Sequence, residues 1–133
     1  MKNSILKSVL LLFTVITFSS CSNSDNNSNN PPSGSRNVKY EITGNAIGTF
    51  DATYANGSGQ AANEMPLTIP WSKDVIFQSN VTTASISSAV TGATAGQTIT
   101  TKIFVGGVVK KEQTATVQAN GAAIIPALTY VLN

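Results

Sequence analysis

The sequence predicts an all-β protein: a small antiparallel immunoglobulin-like β-sandwich of about seven strands, after a signal peptide and a flexible tether. Three observations point there. From Val38 onward apolar and polar residues alternate with period two, in runs spaced near ten residues apart. Turn sequences rich in Gly and Asn separate the runs, and no stretch carries the period of an amphipathic helix. The 133 residues suffice for one domain, and charged residues make up only 11%, far below the usual quarter. An up-and-down barrel is the alternative closure of the same strands.

The amino terminus carries the most specific local signal. Lys2 and Lys7 precede a short apolar run from Val9 to Phe18. That run is shorter than the roughly 20 residues of a membrane span, so residues 1–20 read as a signal peptide. Its close, Phe18-Ser19-Ser20-Cys21, resembles a bacterial lipobox. There the thiol receives a diacylglycerol, and cleavage leaves Cys21 as the first, acylated residue of a lipoprotein. Phe18 stands where Leu is usual. An ordinary signal peptide beside an unrelated cysteine, or an uncleaved anchor, are the other readings. Cys21 is the only cysteine and can form no intrachain disulfide, and a lone thiol is a liability in an oxidising compartment. Acylation accounts for both its presence and its place.

Residues 21–37 read as the acylated cysteine and a disordered tether. Ser22 to Asn30 is rich in Asn and Ser, Pro31-Pro32 stiffens it, and Ser33-Gly34-Ser35 loosens it again. So polar a segment buries too little to fold. As a flexible spacer it reaches roughly 20–25 Å from a bilayer. Ser22 in place of Asp after the cysteine points to the outer membrane rather than the inner, in the periplasm or at the surface. Removing Lys2 and Lys7 leaves six basic against six acidic residues. A neutral chain has no net electrostatic footprint for DNA, RNA or anionic lipid.

The domain, residues 38–133, divides as follows. Val38, Tyr40 and Ile42 share one face and Lys39, Glu41 and Thr43 the other, ended by Gly44-Asn45. Phe50, Ala52 and Tyr54 make a second strand before the turn Asn56-Gly57-Ser58-Gly59, and Ala61 to Leu67 returns beside it. Pro66 and Pro70 lack a ladder donor and suit an edge or a strand start. Trp71, the only tryptophan, is expected to anchor the core, with Pro70 forming the bend and Tyr40 packing nearby. Asp74 to Val81 and then Ala84, Ile86, Ser88 and Val90 continue the pattern up to Gly92 and Gly96. Ile99, Thr101, Ile103 and Val105 alternate up to a two-residue turn at Gly106-Gly107, from which Val108-Val109 leads out. Gln113 to Ala119 is next, closed by Asn120-Gly121, and Ala122 to Leu132 is last, bent at Pro126.

There is no histidine, and Cys21 is committed to lipid, so the usual base, nucleophile pair and soft metal ligands are missing together. No cofactor, metal site or catalytic residue is expected. The carboxylates of the domain are Glu41, Asp51, Glu64, Asp74 and Glu112. Glu41 and Asp51 would face each other across adjacent strands as a glycosidase pair does, but their neighbours place both on a polar, solvated face. Tyr40, Tyr54 and Trp71 can stack on a sugar or fill the core, and the core is the expectation. Asn56-Gly57-Ser58 and Asn80-Val81-Thr82 match the glycosylation pattern and are read as turns.

Taken in order, Val38-Lys39-Tyr40-Glu41-Ile42-Thr43-Gly44, the strand ending at Tyr54, Leu67-Thr68-Ile69-Pro70-Trp71, the run Ile99 to Lys110 and Thr114-Ala115 resemble the soluble domain of the mycobacterial MmpS family. The likeness covers residues 38 to 120, and Tyr-Glu-Ile-Thr-Gly and Pro-Trp are its specific parts. It implies a small β-sandwich without catalytic residues, an accessory to transporters of the resistance-nodulation-division (RND) class in the export of lipids and siderophores. Family members often carry a cysteine pair late in the domain, one near the position of Thr101, and this chain has neither. A lipobox replaces the usual transmembrane helix, so the fold transfers better than the partner.

The reading is therefore a non-catalytic, lipid-anchored envelope protein, an accessory or binding module for a membrane transport system. Its partners would be the membrane, through the lipid on Cys21, and an RND-type transporter or another envelope protein. A surface adhesin or glycan- or protein-binding immunoglobulin-like module is the alternative.

Overall fold

Successive side chains of a strand point to opposite faces, so an alternating run buries one face and exposes the other. In the computed structural model, residues 34–133 are described, and eight such runs are strands. They are β1 (Asn37–Gly44), β2 (Thr49–Ala55), β3 (Ala61–Leu67), β4 (Trp71–Ile76), β5 (Thr83–Thr91), β6 (Thr98–Val105), β7 (Val108–Thr116) and β8 (Ala123–Val131). The signal peptide, Cys21 and the tether through Ser33 lie outside the described residues. The strands form two antiparallel four-stranded sheets, ordered β4-β1-β6-β7 and β3-β2-β5-β8. This is the expected sandwich, with eight strands rather than about seven, and no helix among the described residues. The likeness to immunoglobulin domains is one of layers and size; the strand order has its own connections.

The core lies between the sheets and follows the alternation. Val38, Tyr40 and Ile42 of β1 and Ile99, Ile103 and Val105 of β6 pack against Phe50, Ala52 and Tyr54 of β2, Ala84, Ile86 and Val90 of β5, and Ile125 of β8. Each large side chain so buried contributes about 1.5–3 kcal/mol. A buried phenol needs an acceptor. The Tyr40 hydroxyl donates to the Ala55 carbonyl at 3.0 Å, and burial pushes its pKa far above the usual 10.0. Thr101 and Ser88 are the buried polar residues of the core, and their hydroxyls meet across the two sheets at 2.6 Å. Thr101 is where the family resemblance leads one to look for a cysteine; here a hydroxyl pair fills the place.

Three boundaries differ from the expectation. The strand after the Pro-Trp pair begins at Trp71 and ends at Ile76, because Phe77 turns inward and its N–H bonds the Arg36 carbonyl. The segment Val108–Thr116 is one strand, since the hairpin holds it against β6 along its whole length. Arg36 already belongs to the fold, its guanidinium donating to the carbonyls of Ser79, at 3.0 Å, and Val81. The Gly106-Gly107 turn is as expected, with φ of 59° and 80°, both in the left-handed region a tight hairpin requires. Pro126 sits in β8 where its register against β5 shifts. The bend it was expected to make is there.

Candidate functional site

The most elaborate polar arrangement among the described residues is at the open side of the sandwich, where the edge strands β3 and β4 face each other. In β4, Trp71, Lys73 and Val75 share the inward parity, and Ser72, Asp74 and Ile76 point out. On β3, Glu64 points inward. Its carboxylate receives the Tyr54 hydroxyl at 2.9 Å and the Lys73 ammonium at 2.7 Å on Oε1, and the Trp71 indole N–H at 2.9 Å on Oε2. One side chain thus clasps the edges of both sheets. The Lys73 ammonium, then the Trp71 and Tyr54 donors, hold the Glu64 carboxyl below its usual 4.5, against a smaller opposing effect of burial. Lys73 is raised in turn, first by its bond to Glu64. Tyr54 is raised by burial and then by donating to Glu64.

An aromatic column backs the clasp. The Tyr40 and Tyr54 rings are 5.5 Å apart and tilted by 47°, and Tyr54 and Trp71 are 5.7 Å apart at 51°. The column runs from the core to the rim. Tyr40 and Tyr54 are buried, while Trp71 is half-buried and offers the only exposed ring of the three. The expected role of Trp71 as the core anchor is corrected: β4 is an edge strand, and the indole, only partly buried, packs against the core from its rim. The fully buried Tyr40 holds the centre instead. Pro70 is exposed in the β3–β4 connection and is not part of the core.

Glu41 and Asp51 do not face each other. The link after β1 crosses to the other sheet instead of folding back as a hairpin. Glu41 therefore lies opposite Ser72 and Lys102 and bonds Lys39 at 3.2 Å, whereas Asp51 lies opposite Ala89. No carboxylate pair forms there. Asn56 is a turn residue as expected, its Oδ1 accepting from the Ser58 N–H, the Ser58 hydroxyl and the Gln60 N–H. Cys21 lies outside the described residues. Sequence reading missed the clasp, although parity held a signal: Lys73 alternates in step with Trp71 and Val75, on the face that turns inward.

The two specific parts of the family likeness, far apart in sequence, meet in space. The Tyr-Glu-Ile-Thr-Gly stretch is β1 and the Pro-Trp pair opens β4, with Ile42 directly opposite Trp71. Fold and site together define a small all-β sandwich domain whose edge strands are tied by one ionised carboxylate. A family model described as "Mycobacterium membrane protein" matches residues 6–128. The chain belongs to this family, the MmpS type, and its membership carries association with the envelope membrane. No curated protein matches the chain.

Proposed function

We propose that the chain is a lipid-anchored, non-catalytic envelope protein that serves a membrane transport system as an MmpS-like accessory or binding module. The observation that carries this reading is the reach of the family match, residues 6–128, across both the amino-terminal apolar run and the sandwich. In this reading Cys21 takes the acyl group and anchors the domain in the outer membrane, and residues 22–33 span the gap. The non-catalytic part draws support from the lack of histidine and from Glu64, whose two oxygens are already engaged by three donors. An ionised, saturated carboxylate is a poor general acid.

Photocrosslinking in cells from Asn56, Gly92 and Asn120, with mass identification, tests the partner. Repeated capture of a transporter subunit is the expected result, and capture of surface glycan alone would move the function to surface binding. Cys21→Ser is expected to leave the detergent phase on phase partition, and a variant that partitions as wild type does would remove the anchor. A glycan-binding module is the second reading, favoured by the exposed Trp71 ring over Tyr54. Quenching of Trp71 fluorescence that added glycans relieve would establish it.

A further inference from the structure

The outer face of the β4-β1-β6-β7 sheet is not uniform. Cross-strand register places Ile76 beside Asn37, and Lys39 between Asp74 and Phe104, with Val109 beyond Phe104. Ile76, Phe104 and Val109 give this end of the face an apolar band, and a groove of 560 Å³ beside it is lined by Phe104 and Ile76 together with Lys39 and Asp74. Ile76 is 76% exposed and Val109 42%, whereas Val108, opposite the buried Val105, has the other parity. The Lys39 ammonium lies 4.1 Å from the centre of the Phe104 ring, so cation and apolar floor are presented together.

Two further observations say what covers this band. The first is where the chain enters. Gly34 lies against Asn133, Ser35 lies beside Gly106, and the Gly106 N–H bonds the Asn37 carbonyl at 2.9 Å. The 33 preceding residues, with their apolar run, therefore join the domain at the end that carries the band. The second is charge. Among the described residues, the cations Arg36, Lys39, Lys73, Lys102, Lys110 and Lys111 all belong to this sheet or its lead-in, against Glu41, Asp74 and Glu112. The other sheet has the carboxylates Asp51 and Glu64 and no cation. Lys39 stands on the outer face near the end where the chain enters, while Lys110 reaches over the Tyr130 ring of β8 and the Arg36 guanidinium is held by the Ser79 and Val81 carbonyls.

We infer that this end of the outer face of the β4-β1-β6-β7 sheet is a membrane-contacting surface, seated through Ile76, Phe104 and Val109 on an anionic lipid bilayer, with Lys39 on its headgroups. The inference rests on the envelope-anchored reading and adds an orientation to it. Exposed apolar side chains beside cations suit the headgroup boundary, where the first enter the acyl layer and the second meet phosphate. A tether alone holds the domain near the bilayer in any orientation; the band selects one. Ile47 and Ile124, also exposed, lie at the other end of the strands and serve as built-in contrasts.

The test uses the full chain reconstituted in vesicles of phosphatidylglycerol and a phosphatidylcholine with brominated acyl chains, which quench tryptophan on contact. Val109→Trp and Ile76→Trp are expected to gain quenched emission. Ile47→Trp is not, and neither is the native Trp71, about 17 Å along β4 from Ile76. Lys39→Ala is expected to lower the contact about fivefold, with flotation of the chain unchanged. A chain that floats with the vesicles but shows no quenching at Val109 or Ile76 overturns the contact and leaves the anchor standing. A chain that neither floats nor is quenched overturns both. Equal quenching at Ile47 overturns the orientation. A dimer broken by Ile76→Asp, with no quenching, would assign the band to a second copy and overturn the proposal.

Discussion

Glu64 shows how much one side chain can organise at an open sheet edge. Three donors from two strands, Tyr54 of β2 and Trp71 and Lys73 of β4, converge on it, and only a carboxylate offers lone pairs enough for all of them. Its folded-state pKa is lowered, so its contribution to stability is fully present above the usual 4.5 and lost as pH falls through the lower folded value. Lys73 is raised, so its contribution is present below 10.5 and lost as pH rises through the higher folded value. The Trp71 indole N–H resonance is thus expected to hold steady between these limits and to move only below pH 4.5 on the acid side. A midpoint at or above 4.5 would show that the clasp is not formed in solution. Glu64→Gln keeps an acceptor but loses the ion pair, which is half-exposed and screened, so unfolding should shift by less than about 1 kcal/mol.

The Ser88–Thr101 pair obeys a different rule, because it is buried. Thr101→Val alone leaves the Ser88 hydroxyl without its partner and should cost about 1–3 kcal/mol. Adding Ser88→Ala should recover most of that loss, since two apolar groups leave nothing unsatisfied. Urea unfolding of the single and double variants measures the difference, and strictly additive losses would deny the pairing.

At the scale of elements, turn chemistry and edges decide. Gly107 has φ of 80° with open space where a Cβ would stand, so Gly107→Ala tests backbone conformation alone. The expected loss is about 1–2 kcal/mol, read as a lower urea midpoint with an unchanged slope. The four edges are blunted by different means. β3 carries Pro66, β8 carries Pro126, β7 carries Lys110, Lys111 and Glu112, and β4 is only six residues long. Pairing of these edges with another protein's strands is correspondingly disfavoured, which leaves faces and loops as the surfaces for a partner.

Over the whole molecule, stability rests on one core shared by two sheets. Ile103 is fully buried at its centre, and Ile103→Ala should cost about 2–5 kcal/mol. In a domain of this size that is a large part of the total, of order 5–15 kcal/mol. A thermal melt is expected to show one cooperative transition at lower temperature. Two separate transitions would mean that the sheets unfold independently.

The amino-acid sequence by itself determined which residues face inward, where the chain turns, and that the domain is a sandwich. Alternation and turn residues act over a few positions, so Val38–Thr43, the Gly106-Gly107 hairpin and the bend at Pro126 are legible directly. Partners far apart in the chain are not. That β1 pairs with β4 and β6, and that Glu41 and Asp51 belong to different sheets, follows from how strands cross between layers. The rim position of Trp71 and the capture of its indole by Glu64 follow from β4 being an edge. Only the tertiary structure decided these, because burial depends on which strand lies alongside, and local spacing carries no record of it.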